Sequence, residues 1–340
     1  MITAMAALLI VAAPPVWIDG DLASTIKRTK RPILVDVYAD WCSPCNQLSM
    51  EVLDAEGGKR LLRRAIGVKV DFDTEQGQKV VRDYGVINLP TTLVLDSKGK
   101  EMGRVEGYPG RREYVAAVRA VFKGHAGVKN LEKKVRETPG DWSAVIDLAQ
   151  ARLVRGFEDD ANNDLLMAIA RGGAIGARAG RIWGRWLMRV KKDFVIGTQH
   201  FLAMMKKFKG TKFEHGFRYW AAKGWQAQNQ HAKAIALFDE WIGNDPRNID
   251  AHSYKSDFMV ANGYDLGVTL LTIQGGISLD DEKAWLHYLL ARVHMKRHEY
   301  SKASLAIERA LGLEPKKAIF KNLANRIEFK RGPFKGIPKR

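Results

Sequence analysis

The chain holds two cysteines in 340 residues, and they stand three apart, at Cys42 and Cys45. They follow a near-continuous apolar run, Ile33-Leu34-Val35-Asp36-Val37-Tyr38-Ala39. A partly β-branched run of that length suits a buried central strand. After Cys42, Ser43-Pro44 suits the first turn of a helix, where proline's missing N–H goes unused. The cysteines thus fall at a strand-to-helix junction. A bridge across two residues closes a tiny loop and hardly restrains the unfolded chain. With no further cysteine there is no disulfide framework, so the pair matters as chemistry. Zinc needs four ligands, or three plus water. There is no second cysteine pair, and the first histidine is His125. The same distance removes a Cys–His hydrolase.

Around this junction the pattern alternates. Asp21–Lys30 reads as a helix with Asp21 as its N-cap. Residues 43–55 read as a helix, Ile66–Phe72 as a strand and Gln76–Tyr84 as a helix. Thr92–Leu95 and Met102–Val105 flank Asp96-Ser97-Lys98-Gly99, a hairpin turn signal. Arg111–Phe122 is an amphipathic helix with Tyr114, Val115, Val118 and Val121 on one face. A parallel crossover and an antiparallel hairpin are therefore expected in one small sheet.

Asp40-Trp41-Cys42-Ser43-Pro44-Cys45 after a strand, with Leu89-Pro90-Thr91 downstream, resembles the thioredoxin superfamily. The similarity extends to thioredoxin itself and to the C-terminal domain of the transmembrane thiol–disulfide interchange reductase. At a helix start the thiol of Cys42 is expected below the usual cysteine pKa of about 8.5, which makes it the attacking nucleophile. Cys45, one turn on, is the resolving thiol. Trp41 shields the pair and shapes the substrate-facing surface. The resemblance implies that Asp36 is a buried carboxylate beneath the pair, where burial raises its pKa and suits it to accept the Cys45 proton. It also implies that Pro90 is a cis-proline and that the Leu89 backbone pairs with an extended substrate. The Ser43-Pro44 dipeptide is one residue from the Gly-Pro of thioredoxin, a reductant. No bound cofactor is expected. An upstream dithiol must recharge the pair.

From about residue 128 onward, strand signals vanish and helical periodicity takes over. Leu290-Ala291, Tyr300, Ala303, Ile307, Ala310 and Pro315 fall at the spacing of a tetratricopeptide (TPR) repeat. Ala222, Trp225, Ala234, Phe238 and Pro246 repeat it, and Leu148-Ala149, Gly156, Ala161, Leu165 and Ala168 form a third, weaker unit. Residues 249–282 have the right length but few signature residues, and residues 176–214 have room for one more helix pair. Trp220, Trp225 and Trp241 read as core. Such stacks present a concave groove to a protein or peptide.

Charge is uneven: residues 14–126 carry 18 basic and 15 acidic side chains, residues 127–340 carry 37 and 23. The basic half implies an acidic protein segment, an anionic membrane surface or simply a solvated face. No zinc-finger or RRM-type signature accompanies it, so no nucleic acid is expected. Residues 1–13 are apolar and uncharged, with Pro14-Pro15 after them. That length suits an export signal and is short for a membrane span, although no basic residue precedes Lys27. A buried N-terminal strand or helix is the alternative.

The expectation is an α/β thioredoxin fold at residues 16–125, preceded by a signal peptide or N-terminal anchor at 1–15. An all-α TPR-like solenoid follows at 128–325, and a basic tail at 326–340. The expected function is a periplasmic or otherwise exported thiol–disulfide oxidoreductase that reduces protein disulfides. The location becomes cytoplasmic if residues 1–13 are no signal. The alternative is a redox-linked chaperone, co-chaperone or scaffold that binds unfolded clients.

Overall fold

The computed structural model describes residues 17–19, 21–124 and 128–331. The expected signal or anchor at 1–15 lies outside these residues, as does the tail beyond 331. Five strands form one sheet: β1 (Trp17–Asp19), β2 (Ile33–Tyr38), β3 (Ile66–Asp71), β4 (Thr91–Leu95) and β5 (Glu101–Glu106). Their order is β1-β3-β2-β4-β5. β1 and β2 run parallel to β3, and β4 runs antiparallel to both β2 and β5. This is the thioredoxin fold, with the expected crossover and hairpin in one sheet.

The alternation of β2 places its side chains on two cores. Ile33, Val35 and Val37 pack with α1 (Leu22–Arg28) and α4 (Glu75–Asp83). Leu34 packs with α2 (Ser43–Leu48), α3 (Glu56–Leu62) and α5 (Arg111–Phe122). Asp36 shares the face of Leu34, and so sits beneath α2. Asp21 caps α1 as expected, accepting the N–H of Ala23 at 2.9 Å.

Two elements were not expected. β1 is only three residues long, and Trp17 ties it down by donating its indole N–H to the Leu53 carbonyl at 3.1 Å. The helix expected over 43–55 is α2 continued by a π-helical turn at Ser49–Leu53, after which α3 begins anew. Gly57-Gly58 hides α3 from propensity reasoning, because glycine is a poor helix former. Its reason is close packing: a Cβ on Gly58 would lie 2.0 Å from the Leu53 carbonyl oxygen.

The second half is an all-α solenoid of twelve described helices. They are α6 (Val128–Glu137), α7 (Trp142–Leu153), α8 (Glu158–Ala170), α9 (Gly173–Arg189), α10 (Phe194–Lys207) and α11 (Glu214–Ala227). α12 (His231–Asn244), α13 (Ile249–Asn262), α14 (Leu266–Leu279), α15 (Ala284–Lys296), α16 (Tyr300–Leu313) and α17 (Ala318–Arg331) complete it. The expected units are α7–α8, α11–α12 and α15–α16. The weak stretches form α9–α10 and α13–α14. Small residues do the expected packing: Ala222, Ala234, Ala291, Ala303 and Ala310 are fully buried. α17 continues to Arg331 with Ile327 buried, so helix occupies the start of the expected tail.

The two halves share a core. Ile87, in the loop before β4, is fully buried among Ile146, Ala149, Trp186 and Phe217 of the solenoid. At the other end of the array, Asn322 and Arg326 of α17 bond to Asn46 and Asp40 beside the cysteines, at 2.5 and 2.7 Å. The solenoid thus arches over the face of the sheet domain that carries the dithiol.

Candidate active site at the junction of the two halves

β2 ends at Tyr38, and Ala39–Trp41 leads directly into α2, with Cys42 as its N-cap. Cys42 and Cys45 form a disulfide with their Cα atoms 5.2 Å apart. The Cys42 sulfur also accepts the backbone N–H of Cys45 at 3.3 Å, as a helix start provides. Pro44 lies in that first turn. Both cysteines are covered, with 5% and 4% of their surface exposed.

Asp36 lies behind the pair with 3% exposure, and its Oδ1 has no hydrogen-bond partner among the described residues. Burial pushes its carboxyl up to about 7, against the pull of Lys69. A cavity of about 580 Å³ borders Asp36, Cys45 and Lys69. Lys69 is held there by Ser49 and Asp54, at 3.1 and 3.0 Å. Asp36 and Cys45 thus border one cavity that is large enough to admit water.

In front of the pair, the Leu89–Pro90 peptide bond is cis, in agreement with the resemblance. The Leu89 backbone N–H and C=O have no hydrogen-bond partner among the described residues. Pro90 and Thr91 are tied off: the Pro90 carbonyl accepts from Gly107 at 2.8 Å, and the Thr91 hydroxyl donates to the Asn88 carbonyl at 2.9 Å. Trp41 donates its indole N–H to Asp73 at 2.7 Å and meets Phe72 edge-on. Of the expected residues, Trp41, Cys42, Pro44 and Leu89 line one cavity, and Asp36 and Cys45 line another; Pro90 and Thr91 line neither.

Sequence reasoning missed the opposite wall. A cavity of about 430 Å³ has Trp41, Cys42, Ser43, Pro44 and Leu89 on one side. On the other are Arg181, Arg185 and Arg189 of α9, Tyr219, Trp220 and Lys223 of α11, and Tyr254 and Asp257 of α13. The arginines recur at i, i+4 and i+8, which puts them on one helix face. That spacing is readable in the sequence; its aim at Cys42 is set by docking. Arg189 donates to the Ile87 carbonyl and Arg185 to the Asn88 side chain, both at 2.8 Å. Both guanidinium groups lie over the Trp220 ring, and the Lys223 ammonium lies over Trp41 at 5.5 Å. Trp220 therefore corrects one expectation: it packs on Phe201, yet it also lines the cavity. Trp225, partly buried, packs against the core of the array, and Trp241 lies tilted against His215.

Burial strains these cations. It pushes Lys223 down to about 8, Arg189 to about 9 and Arg185 to about 10, with repulsion from neighbouring arginines adding to each shift. Among the described residues, no helix is long and apolar enough to cross a membrane.

The sequence matches the thioredoxin-like domain family over residues 20–122. It is 30% identical to the thioredoxin of Mycolicibacterium smegmatis over 95 residues, covering 27% of this chain and 80% of that protein. It is 28% identical over 98 residues to the thiol:disulfide interchange protein DsbD of Colwellia psychrerythraea, covering 27% of this chain. The chain spans less than a fifth of the length of the interchange proteins it matches. The solved TPR protein YrrB is 14% identical and covers 58% of this chain and 100% of its own, with a TM-score of 0.33.

Proposed function

Because this chain belongs to the thioredoxin family through its α/β half, we propose that it is a thiol–disulfide oxidoreductase working as a disulfide reductase, with the solenoid as its substrate platform. The observation that carries this reading is the Cys42–Cys45 disulfide, placed between the buried Asp36 and a cavity roofed by the solenoid.

In the reduced protein, the Cys42 thiolate attacks one sulfur of a substrate disulfide, and the other substrate sulfur leaves as a thiolate. Asp36 takes the Cys45 proton. The Cys45 thiolate then attacks the Cys42 sulfur, releases the second substrate thiol and closes the Cys42–Cys45 bond. Two electrons have moved from the protein to the substrate. The unpaired Leu89 backbone groups hold an extended substrate backbone beside Cys42. The protein disulfides expected as substrates reach Cys42 only as a segment narrow enough for the cleft. An upstream dithiol restores the reduced state. The DsbD-like resemblance supports an exported location, with residues 1–15 as the address.

The test is the reduction potential of the Cys42–Cys45 pair, measured by equilibration with glutathione. A reductase requires a value toward the thioredoxin end, about −270 mV. A value of about −180 to −120 mV, the range of isomerases and oxidants, overturns the direction proposed here.

A further inference from the structure

Four cations of the solenoid converge on the cavity that Cys42 opens into: Arg181, Arg185, Arg189 and Lys223. Asp257 is the carboxylate on their wall, and Asp73 lies nearby, bonded to Trp41. None of the four cations makes an ion pair within 4 Å among the described residues. Arg181 and Lys223 make no hydrogen bond there, and the buried Nε of Arg185 has no partner. Like charges at i and i+4 destabilise a helix, and the partners of these cations are neutral carbonyl, amide and ring groups rather than paired carboxylates. The arrangement is therefore unfavourable for the empty protein and suited to an anion. Size narrows the choice. Cys42 is covered, and about 430 Å³ lies within the ordinary range of small-ligand pockets.

We propose that this cavity binds the carboxylates of a free, low-molecular-weight disulfide of roughly tripeptide size, presenting its sulfurs to Cys42. The proposal rests on the reductase reading above and names its substrate class. The ligand disulfide is reduced to two thiols, while the protein dithiol is oxidised to the Cys42–Cys45 bond. A dithiol then recharges the protein.

The test uses the full-length reduced protein and three small disulfides: anionic dithiodipropionate, neutral bis(2-hydroxyethyl) disulfide and cationic cystamine. Each rate is divided by the rate of the same disulfide with dithiothreitol, which removes intrinsic reactivity. The anionic compound is expected to exceed the neutral one by about tenfold, and cystamine to fall below both. Arg181→Gln, at a side chain with no hydrogen bond to lose, is expected to lower the anionic-to-neutral ratio about threefold. Arg119→Gln, on the exposed face of α5, leaves that ratio unchanged. At about 1 M salt, where screening acts within roughly 3 Å, the wild-type preference shrinks; this check needs no variant. Equal normalised rates for the three compounds overturn the anion site and leave the reductase reading standing. No reaction with any of them overturns the reductase reading itself.

Discussion

Folding moves the Asp36 carboxyl from 3.8 to about 7, and this shift has a sign. Between those values the folded chain holds a proton that the unfolded chain has lost. Stability from this group is full below pH 4 and falls as pH rises toward 7. Three units correspond to about 4 kcal/mol as an upper bound. Asp36→Asn is expected to raise stability at pH 8 by about 2–4 kcal/mol and to change little near pH 4. Denaturant melts at the two pH values check this, and equal gains at both would contradict it. The same variant is expected to slow the resolving step, because the Cys45 proton loses its acceptor. At the neighbouring residue, Cys45→Ser is expected to stall the reaction at the mixed disulfide on Cys42, visible as a mass increase that dithiothreitol reverses. Cys42→Ser is expected to show neither the adduct nor turnover.

The helices of the solenoid depend on close approaches at single positions. Gly184 of α9 is an example: a Cβ there would lie 2.4 Å from the ring of the fully buried Phe201. Alanine has the better helix propensity by about 1 kcal/mol, but overpacking a buried ring costs about 1–3 kcal/mol. Gly184→Ala is therefore expected to lower the melting temperature, and a rise would mean that α9 and α10 separate at little cost. Packing of this kind also decides what was legible in the sequence. Strands β2 to β5 and helices α1, α2, α4 and α5 could be read from their periodicity and turn signals, whereas α3 could not. β1 could not, because three residues carry no period. α13–α14 lacked repeat signature because polar Ser253, Ser256 and Thr269 occupy buried positions there. Of the candidate site, the wall that carries Trp41, Cys42, Pro44 and Leu89 comes from two short contiguous motifs that could be read in the sequence. The wall that carries Arg185, Arg189, Trp220 and Lys223 comes from α9 and α11, and only tertiary docking turns their faces toward the disulfide.

For the molecule as a whole, the array changes what can touch the dithiol. Cys42 is only 5% exposed, and residues of α9, α11 and α13 line the cavity in front of it. After reduction, a small alkylating agent such as iodoacetamide is expected to modify Cys42 readily. A maleimide carrying a large polymer is expected to lag by at least about tenfold, relative to the same two reagents with a free small thiol. Arg326→Ala with Asn322→Ala is expected to narrow that gap. A gap absent in the wild-type protein would mean that the array stands clear of the dithiol in solution.

The contacts of α17 with Asp40 and Asn46 have a mechanical consequence. Beyond the contacts of α9 and α11 with the sheet domain, this polar contact holds the far end of the array in place like a clasp. Arg326 and Asp40 are largely exposed, 58% and 62%, and such a pair contributes about 0–1 kcal/mol. The far end is therefore cheap to release, while the near part is held firmly, where Ile87 is sunk into the helical core. For the reductase proposed here, turnover on bulky substrates would then depend on how often the clasp lets go, and small substrates would not wait for it.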